Sequence, residues 1–271
     1  MDKMVSSLKS YLKKTQFRLF AARGFSKYIS SLEKSVVYGQ FCQEVYGQDL
    51  CQLNMVDKEQ LEKVIEVLAL MPNERLLDLG CGAGKITEYI SDVSGAHAVG
   101  IDFAKGPIRT ANERTAPKST RLQFKLGNLN KVPFSEQSFD AITSFDTLYF
   151  VDDLPQVIRQ LKSLLKPTGR MVLMFSSALK SGEAHDLLRP ENTKLGLALA
   201  NAGLKFKTWD FTKNEMAVWT KSLRFAEKLK EKFEIENSLE IYKSRIKEAS
   251  TWQKKHESQL VARYLYLVKW S

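Results

Sequence analysis

The chain has 271 residues, 44% of them hydrophobic and 27% charged, with a formal net charge of +10. That length suits an α/β core with attachments, and no run of about eighteen apolar residues offers a membrane-spanning helix. The three cysteines are odd in number and lack C-x-x-C spacing, so neither a disulfide framework nor a metal site is expected, and a reducing cytoplasm fits. The positive charge is uneven: roughly +4 over residues 1–58, 0 over 59–185 and +6 over 186–271. A neutral centre with basic flanks reads first as solvated helix faces, and second as a surface for an acidic partner.

Residues 3–32 carry seven basic residues and no acidic one, with Met4, Leu8, Tyr11, Leu12 and Leu19 near helical spacing. A transit peptide shares that composition, but the pattern runs unbroken into the next segment, so an ordered N-terminal helix is expected. VYGQFCQE from Val37 is almost repeated as VYGQDLCQ, placing Tyr38 and Tyr46 eight residues apart. Asp57 is a predicted N-cap for a helix with Leu61, Val64, Ile65 and Leu68 on one face.

The stretch Arg75 to Ile90, RLLDLGCGAGKITEYI, then sets the plan. Leu76, Leu77 and Leu79 read as a short strand covered on both faces. Gly80, Gly82 and Gly84 turn it abruptly into a helix, so a ligand can approach bare backbone at Gly80, Cys81 and Gly82. A second strand, AVGI, ends in Asp102, about twenty residues past the first glycine, where a carboxylate can accept ribose hydroxyl protons. The third glycine of a dinucleotide fingerprint would fall at Lys85 and is absent. Asp78 within the strand would repel a pyrophosphate and favour a ligand carrying positive charge.

Further strands are predicted at Leu122 to Gly127, Phe139 to Phe145 and Arg170 to Ser177. Residues Ser144 to Tyr149 (SFDTLY) should face the crevice at the carboxyl ends of parallel strands. An amphipathic helix bears Leu154, Val157, Ile158, Leu161, Leu164 and Leu165, and Pro167-Thr168-Gly169 is expected to stop it. Residues 205–212 and 261–270 alternate like strands. About 48 residues separate them and read as two amphipathic helices, with Trp219, Leu223, Ala226, Leu229 and Phe233 on one face and Leu239, Tyr242, Ile246, Ala249, Trp252 and His256 on the other.

Taken together, LDLGCGAG, VGIDFA, GNLNKVPF and FDAITSFDTLYF resemble the motifs of class I S-adenosylmethionine-dependent methyltransferases, over about the middle half of the chain. The resemblance implies a doubly wound, Rossmann-like sheet, mostly parallel with an antiparallel terminal strand, and S-adenosylmethionine as cofactor. It implies that Asp78, Gly80, Cys81, Gly82, Asp102, Phe103, Asn128, Leu129, Ser144 and Phe145 line the cofactor site, with Phe103 beside the adenine and Asn128 and Leu129 at its edge and face. Tyr38 would reach across the cofactor mouth. The helices inserted between the last two strands depart from the common pattern and are expected to form a lid. The division expected is therefore 1–58 as an N-terminal helical lid segment, 59–212 as the core, 213–258 as an inserted lid and 259–271 as the last strand.

A sulfonium is already an activated methyl donor, so geometry and exclusion of water carry most of the catalysis. Tyr149, Asp146 and His256 are the candidates for handling a proton, with His185 a further one, and Tyr46, Tyr149, Trp219 and Tyr242 for touching substrate. The favoured acceptor is a small molecule enclosed by the lids. SFDTLY lacks the N-P-P-Y or D-P-P-Y used on base amino groups, which argues against nucleic acid. An RNA or protein methyltransferase using the basic flanks, and a non-catalytic cofactor-binding module, are the alternatives.

Overall fold

A computed structural model describes residues 24–270. Helix α1 covers 24–34, and α2 (Val36–Tyr46) follows after Ser35, whose hydroxyl caps it by accepting from the Tyr38 N–H. Gly47 ends α2 in the left-handed region. Asp57 caps α3 (Lys58–Leu68) as expected, accepting from Gln60 N–H. The expected helix over the first residues lies outside the described part for residues 1–23.

The core then alternates strand and helix: β1 (Arg75–Leu79), α4 (Lys85–Ser94), β2 (His97–Asp102), α5 (Lys105–Arg114), β3 (Leu122–Leu126), β4 (Phe139–Phe145), α6 (Leu154–Leu164), β5 (Leu165–Ala178), α7 (Lys194–Asn201) and β6 (Leu204–Asp210). Helices α8 (Thr212–Lys228), α9 (Lys230–Ile235) and α10 (Leu239–Glu257) precede β7 (Val261–Trp270). The seven strands lie in the order β3-β2-β1-β4-β5-β7-β6. β1 through β5 pair in parallel, and β7 pairs antiparallel with β5 on one side and β6 on the other. This is the expected sheet, with strand order reversing between β1 and β4, so a crevice opens where their carboxyl ends diverge.

Two local expectations are corrected. Pro167-Thr168-Gly169 does not simply end a helix; it lies inside β5, at the shift in register between Phe139 and Ala141 of the neighbouring strand. A bulge of that kind absorbs a residue that cannot donate to the ladder. The segment between the last strands holds three helices, not two, because α8 and α10 are joined by the short α9.

Apolar layers cover both faces of the sheet. One is built on Leu77, Ile142, Ile158, Leu161, Leu173 and Tyr266. The opposite layer uses Leu61, Val64, Leu76, Ile90, Val172 and Leu265. A third cluster is formed by the N-terminal helices with α8 to α10, and it includes Ala83 of the glycine loop and Ala104 just past β2. These helices, with the segment joining α2 to α3, therefore cap the carboxyl ends of the strands.

Asp78 holds the turn beneath that cap. Its carboxylate is buried and accepts the hydroxyls of Thr87 on α4 and Thr143 on β4. Burial pushes its pKa up to about 6, against the lowering by the two hydroxyls, and the nearby Asp102 carboxylate adds to the rise. In the unfolded chain the carboxyl ionises near pH 3.8. The folded state thus binds the extra proton between about pH 4 and 6, and stability falls as pH rises through that window, by on the order of 3 kcal/mol. Asp78→Asn should accordingly raise the melting temperature at pH 7.5 and lose most of that advantage near pH 4. An equal effect at both pH values, or a wild-type protein more stable at pH 7.5, would contradict this assignment.

Candidate functional site

The glycine loop is bound to β2 by main chain: the N–H groups of Gly80 and Cys81 both donate to Ile101 C=O, at 2.8 and 3.0 Å. Gly80 has φ 70°, and a Cβ there would collide with the Thr147 side chain. Gly82 has φ 54° and differs, because nothing lies within 4 Å of where its Cβ would be. Open space against bare backbone is what a bound nucleoside needs.

Asp102 closes the other side of this opening. Its Oδ2 accepts Gly82 N–H at 3.0 Å and its Oδ1 accepts Ala104 N–H at 2.8 Å. Each oxygen keeps a further lone pair for a diol. Burial raises the carboxyl pKa, and the backbone donors work against that rise. Next to it, Phe103 is half exposed and stacks on Phe25 of α1, with centroids 5.4 Å apart. Asn128 is exposed, and its Oδ1 accepts the Asn130 N–H, fixing the loop after β3. Leu129 packs partly on the core.

Several sequence-derived site residues have other duties here. Asp78 has both oxygens occupied by threonine hydroxyls, so it offers the crevice its charge and not a free acceptor. Phe145 is buried in the apolar layer with Met174 and Phe211. Ser144 shares a hydrogen bond with Thr147, whose hydroxyl donates to Leu79 C=O. Cys81 is half-buried with its sulfur side against Gly100, and burial raises its thiol pKa, which keeps it protonated. Tyr38 is fully buried, stacked on Phe41, with its hydroxyl donating to Gln52 C=O. Tyr46 and Trp219 are buried in the cap, where Trp219 stacks on Trp252. Tyr242 lies at the cap surface and donates to Glu227.

The three proton-handling candidates are brought together. Asp146 sits just past β4 with φ 57°, in the left-handed region that Asp tolerates better than most residues. It receives Tyr149 OH at 2.9 Å, Met55 N–H at 3.0 Å, and Arg263 Nη1 and Nη2 at 2.7 and 2.9 Å. Arg263, at the start of β7, is 0% exposed; its Nε donates to Gln60 Oε1 and its Nη1 also to Ser176 Oγ. Ser176 donates to Glu215 on α8, and His256 on α10 lies 3.4 Å from Glu215 without hydrogen-bond geometry.

This geometry corrects two of those assignments. Four donors fill the Asp146 carboxylate, which makes it an anchor and not an available base. The Tyr149 hydroxyl donates to Asp146 and accepts Ser176 N–H, and burial together with the Asp146 charge raises its pKa, so it stays a neutral phenol. His256 is buried within the cluster, and His185 lies apart on an exposed turn. Arg263, Gln60, Ser176 and Glu215 were not anticipated. The one available signal was an arginine within a strand otherwise apolar on both faces, which requires a buried anion.

Residues 77–173 match the model of a family described as a methyltransferase domain. Phosphoethanolamine N-methyltransferase 1 of Arabidopsis thaliana is 28% identical over 230 residues, covering 81% of this chain and 46% of that protein. The chain thus spans about half the length of such relatives. Among solved structures, Haemonchus contortus phosphoethanolamine N-methyltransferase 2, in complex with phosphomonomethylethanolamine and S-adenosylhomocysteine, superimposes with TM-score 0.68 at 14% identity, over 90% of this chain and 60% of that one. The [4+2]-cyclase SpnF gives TM-score 0.63 at 18% identity, over 78% and 80%. At such identities the structural likeness establishes the fold alone. With the family match, the glycine loop and the strand order, the chain belongs to the class I S-adenosylmethionine-dependent methyltransferases.

Proposed function

We propose that this protein binds S-adenosylmethionine in the crevice beside Gly82 and transfers its methyl group to a small-molecule acceptor held between the strand ends and the helical cap. The observation that carries the reading is the open space at Gly82 facing Asp102, whose carboxylate is tied to the loop and retains lone pairs for the ribose hydroxyls. Phe103 would lie along the adenine and Asn128 at its edge. The sulfonium supplies an activated methyl group when bound.

The chain's own residues hold, orient and dry the site. Asp146, Arg263 and Gln60 fix the crevice rim to β7 and α3, and Glu215 on α8 ties the cap to Ser176 at the end of β5. With Asp146 and Tyr149 already engaged, most of the rate enhancement is assigned to alignment and exclusion of water. The N-terminal helices and α8 to α10 serve as the lid. A small acceptor accords with the names of the relatives, phosphoethanolamine methyltransferases among them.

Two measurements check this. Calorimetry should show binding of S-adenosylmethionine and S-adenosylhomocysteine and none of NAD; the reverse would remove the cofactor assignment. Asp102→Ala should weaken cofactor binding by roughly 1.5–3 kcal/mol, with Asp102→Asn less affected, because a charged acceptor of hydroxyl protons is lost. An Ala variant of unchanged affinity would show that the ribose lies elsewhere.

A further inference from the structure

The interior of the helical cap is polar in a way that the sheet is not. Among the described residues, ten buried side-chain nitrogen or oxygen atoms have no hydrogen-bond partner, and nine of them belong to the cap and the segment joining α2 to α3. Protein interiors normally satisfy such groups, so a concentration of them in one compartment calls for a cause. The nine are also biased in kind. Only Glu33 Oε2 and Gln253 Oε1 are pure acceptors; the others can donate.

Arg245 of α10 stands at the centre of this imbalance. It is 4% exposed, its Nη2 pairs with Glu248, and its Nε has no partner. Glu248 is itself 37% exposed at the rim, so the guanidinium is compensated from one side only. The phenols of Tyr38, Tyr28 and Tyr46 lie close enough to act on its charge. Tyr38 spends its hydroxyl on Gln52, whereas the hydroxyls of Tyr28 and Tyr46 are buried and unpartnered. A buried arginine with one partner at the rim is costly unless a second anion completes it. Tyr38 and Tyr46 share one apolar cluster with Ala83 and Ala104, which places this group of donors on the side of the cap that meets the glycine loop.

We propose that Arg245, with the hydroxyls of Tyr28 and Tyr46, forms an anion subsite that receives a carboxylate or phosphate group of the methyl acceptor. The planar guanidinium suits either group, and the phenols add neutral donors around it. Anchoring at that end would leave the acceptor's other end directed toward the glycine loop. This inference rests on the methyl-transfer reading above, since the subsite has a catalytic meaning only beside a bound cofactor.

The test uses the full chain saturated with S-adenosylhomocysteine, titrated calorimetrically with inorganic phosphate, phosphoethanolamine, glycine and ethanolamine. At least one anionic probe should bind at millimolar concentration or below, weaken with added salt, and exceed ethanolamine at least tenfold. Arg245→Gln should lower that affinity at least tenfold and Tyr46→Phe several-fold, with S-adenosylhomocysteine affinity changed less than twofold. Tyr46→Phe deletes only an unpartnered hydroxyl, so its melting temperature should not fall, and it serves as the test should Arg245→Gln not fold. No anion binding, or anion binding indifferent to both substitutions, overturns the proposal and leaves water as the occupant. If Arg245→Gln instead weakens S-adenosylhomocysteine and spares the anion, the guanidinium serves the cofactor's carboxylate; the subsite is then wrong and the methyl-transfer reading stands. If S-adenosylhomocysteine itself does not bind the wild-type protein, that reading fails, and phosphate titration of the unliganded chain alone judges the subsite.

Discussion

The ion pair between Arg263 and Asp146 is the interaction on which the crevice depends. Both groups are taken from water, at a cost of several kcal/mol per ion, and only close, fully bonded geometry offsets it. The structure supplies that geometry: two guanidinium nitrogens on two carboxylate oxygens, with Gln60, Ser176, Tyr149 and the Met55 N–H using what remains. The contacts join five parts of the chain. Asp146 ends β4, Arg263 begins β7, Gln60 lies on α3, Ser176 closes β5, and Met55 belongs to the segment leading down from the cap. The pair also holds Asp146 in its left-handed conformation, which tightens the turn into Thr147 and places that side chain against Gly80.

What could be read from the sequence was what the chain encodes locally. The strand, the three glycines and Asp102 lie within thirty residues, and their spacing carries the geometry of a nucleoside site without reference to distant segments. The alternation of 205–212 and 261–270 was likewise enough to pair β6 with β7, because each strand declares its own periodicity. The caps at Asp57 and Asp153 were legible for the same reason.

What escaped was set by contacts between distant residues. Arg263 and Asp146 are 117 positions apart, and Glu215 meets Ser176 across 39. No spacing rule connects such pairs. Phe145, Tyr38 and Tyr46 were assigned to ligand by position near the crevice, and packing decided otherwise, since an aromatic ring beside a crevice can turn inward when an apolar layer lies within reach. Asp78 shows a subtler case. Its place in the strand was right, but the two threonines that occupy its oxygens come from α4 and β4, and only the folded sheet brings them together. The fold, moreover, does not select its own chemistry; that lies in the site and in what the cap encloses.

The organising role of the buried pair is tested most directly by a double-mutant cycle on Asp146 and Arg263, read both as unfolding free energy and as S-adenosylhomocysteine affinity. Asn is tolerated in the left-handed region, so Asp146→Asn removes the charge with little backbone penalty. Arg263→Met keeps much of the buried volume. Each single substitution should cost about 3–5 kcal/mol and weaken ligand binding, because it strands a buried charge. The double variant should be less destabilised than the sum by at least about 1 kcal/mol. Additive losses, with ligand affinity unchanged throughout, would show that the crevice is held by the sheet alone and that the pair does not organise it.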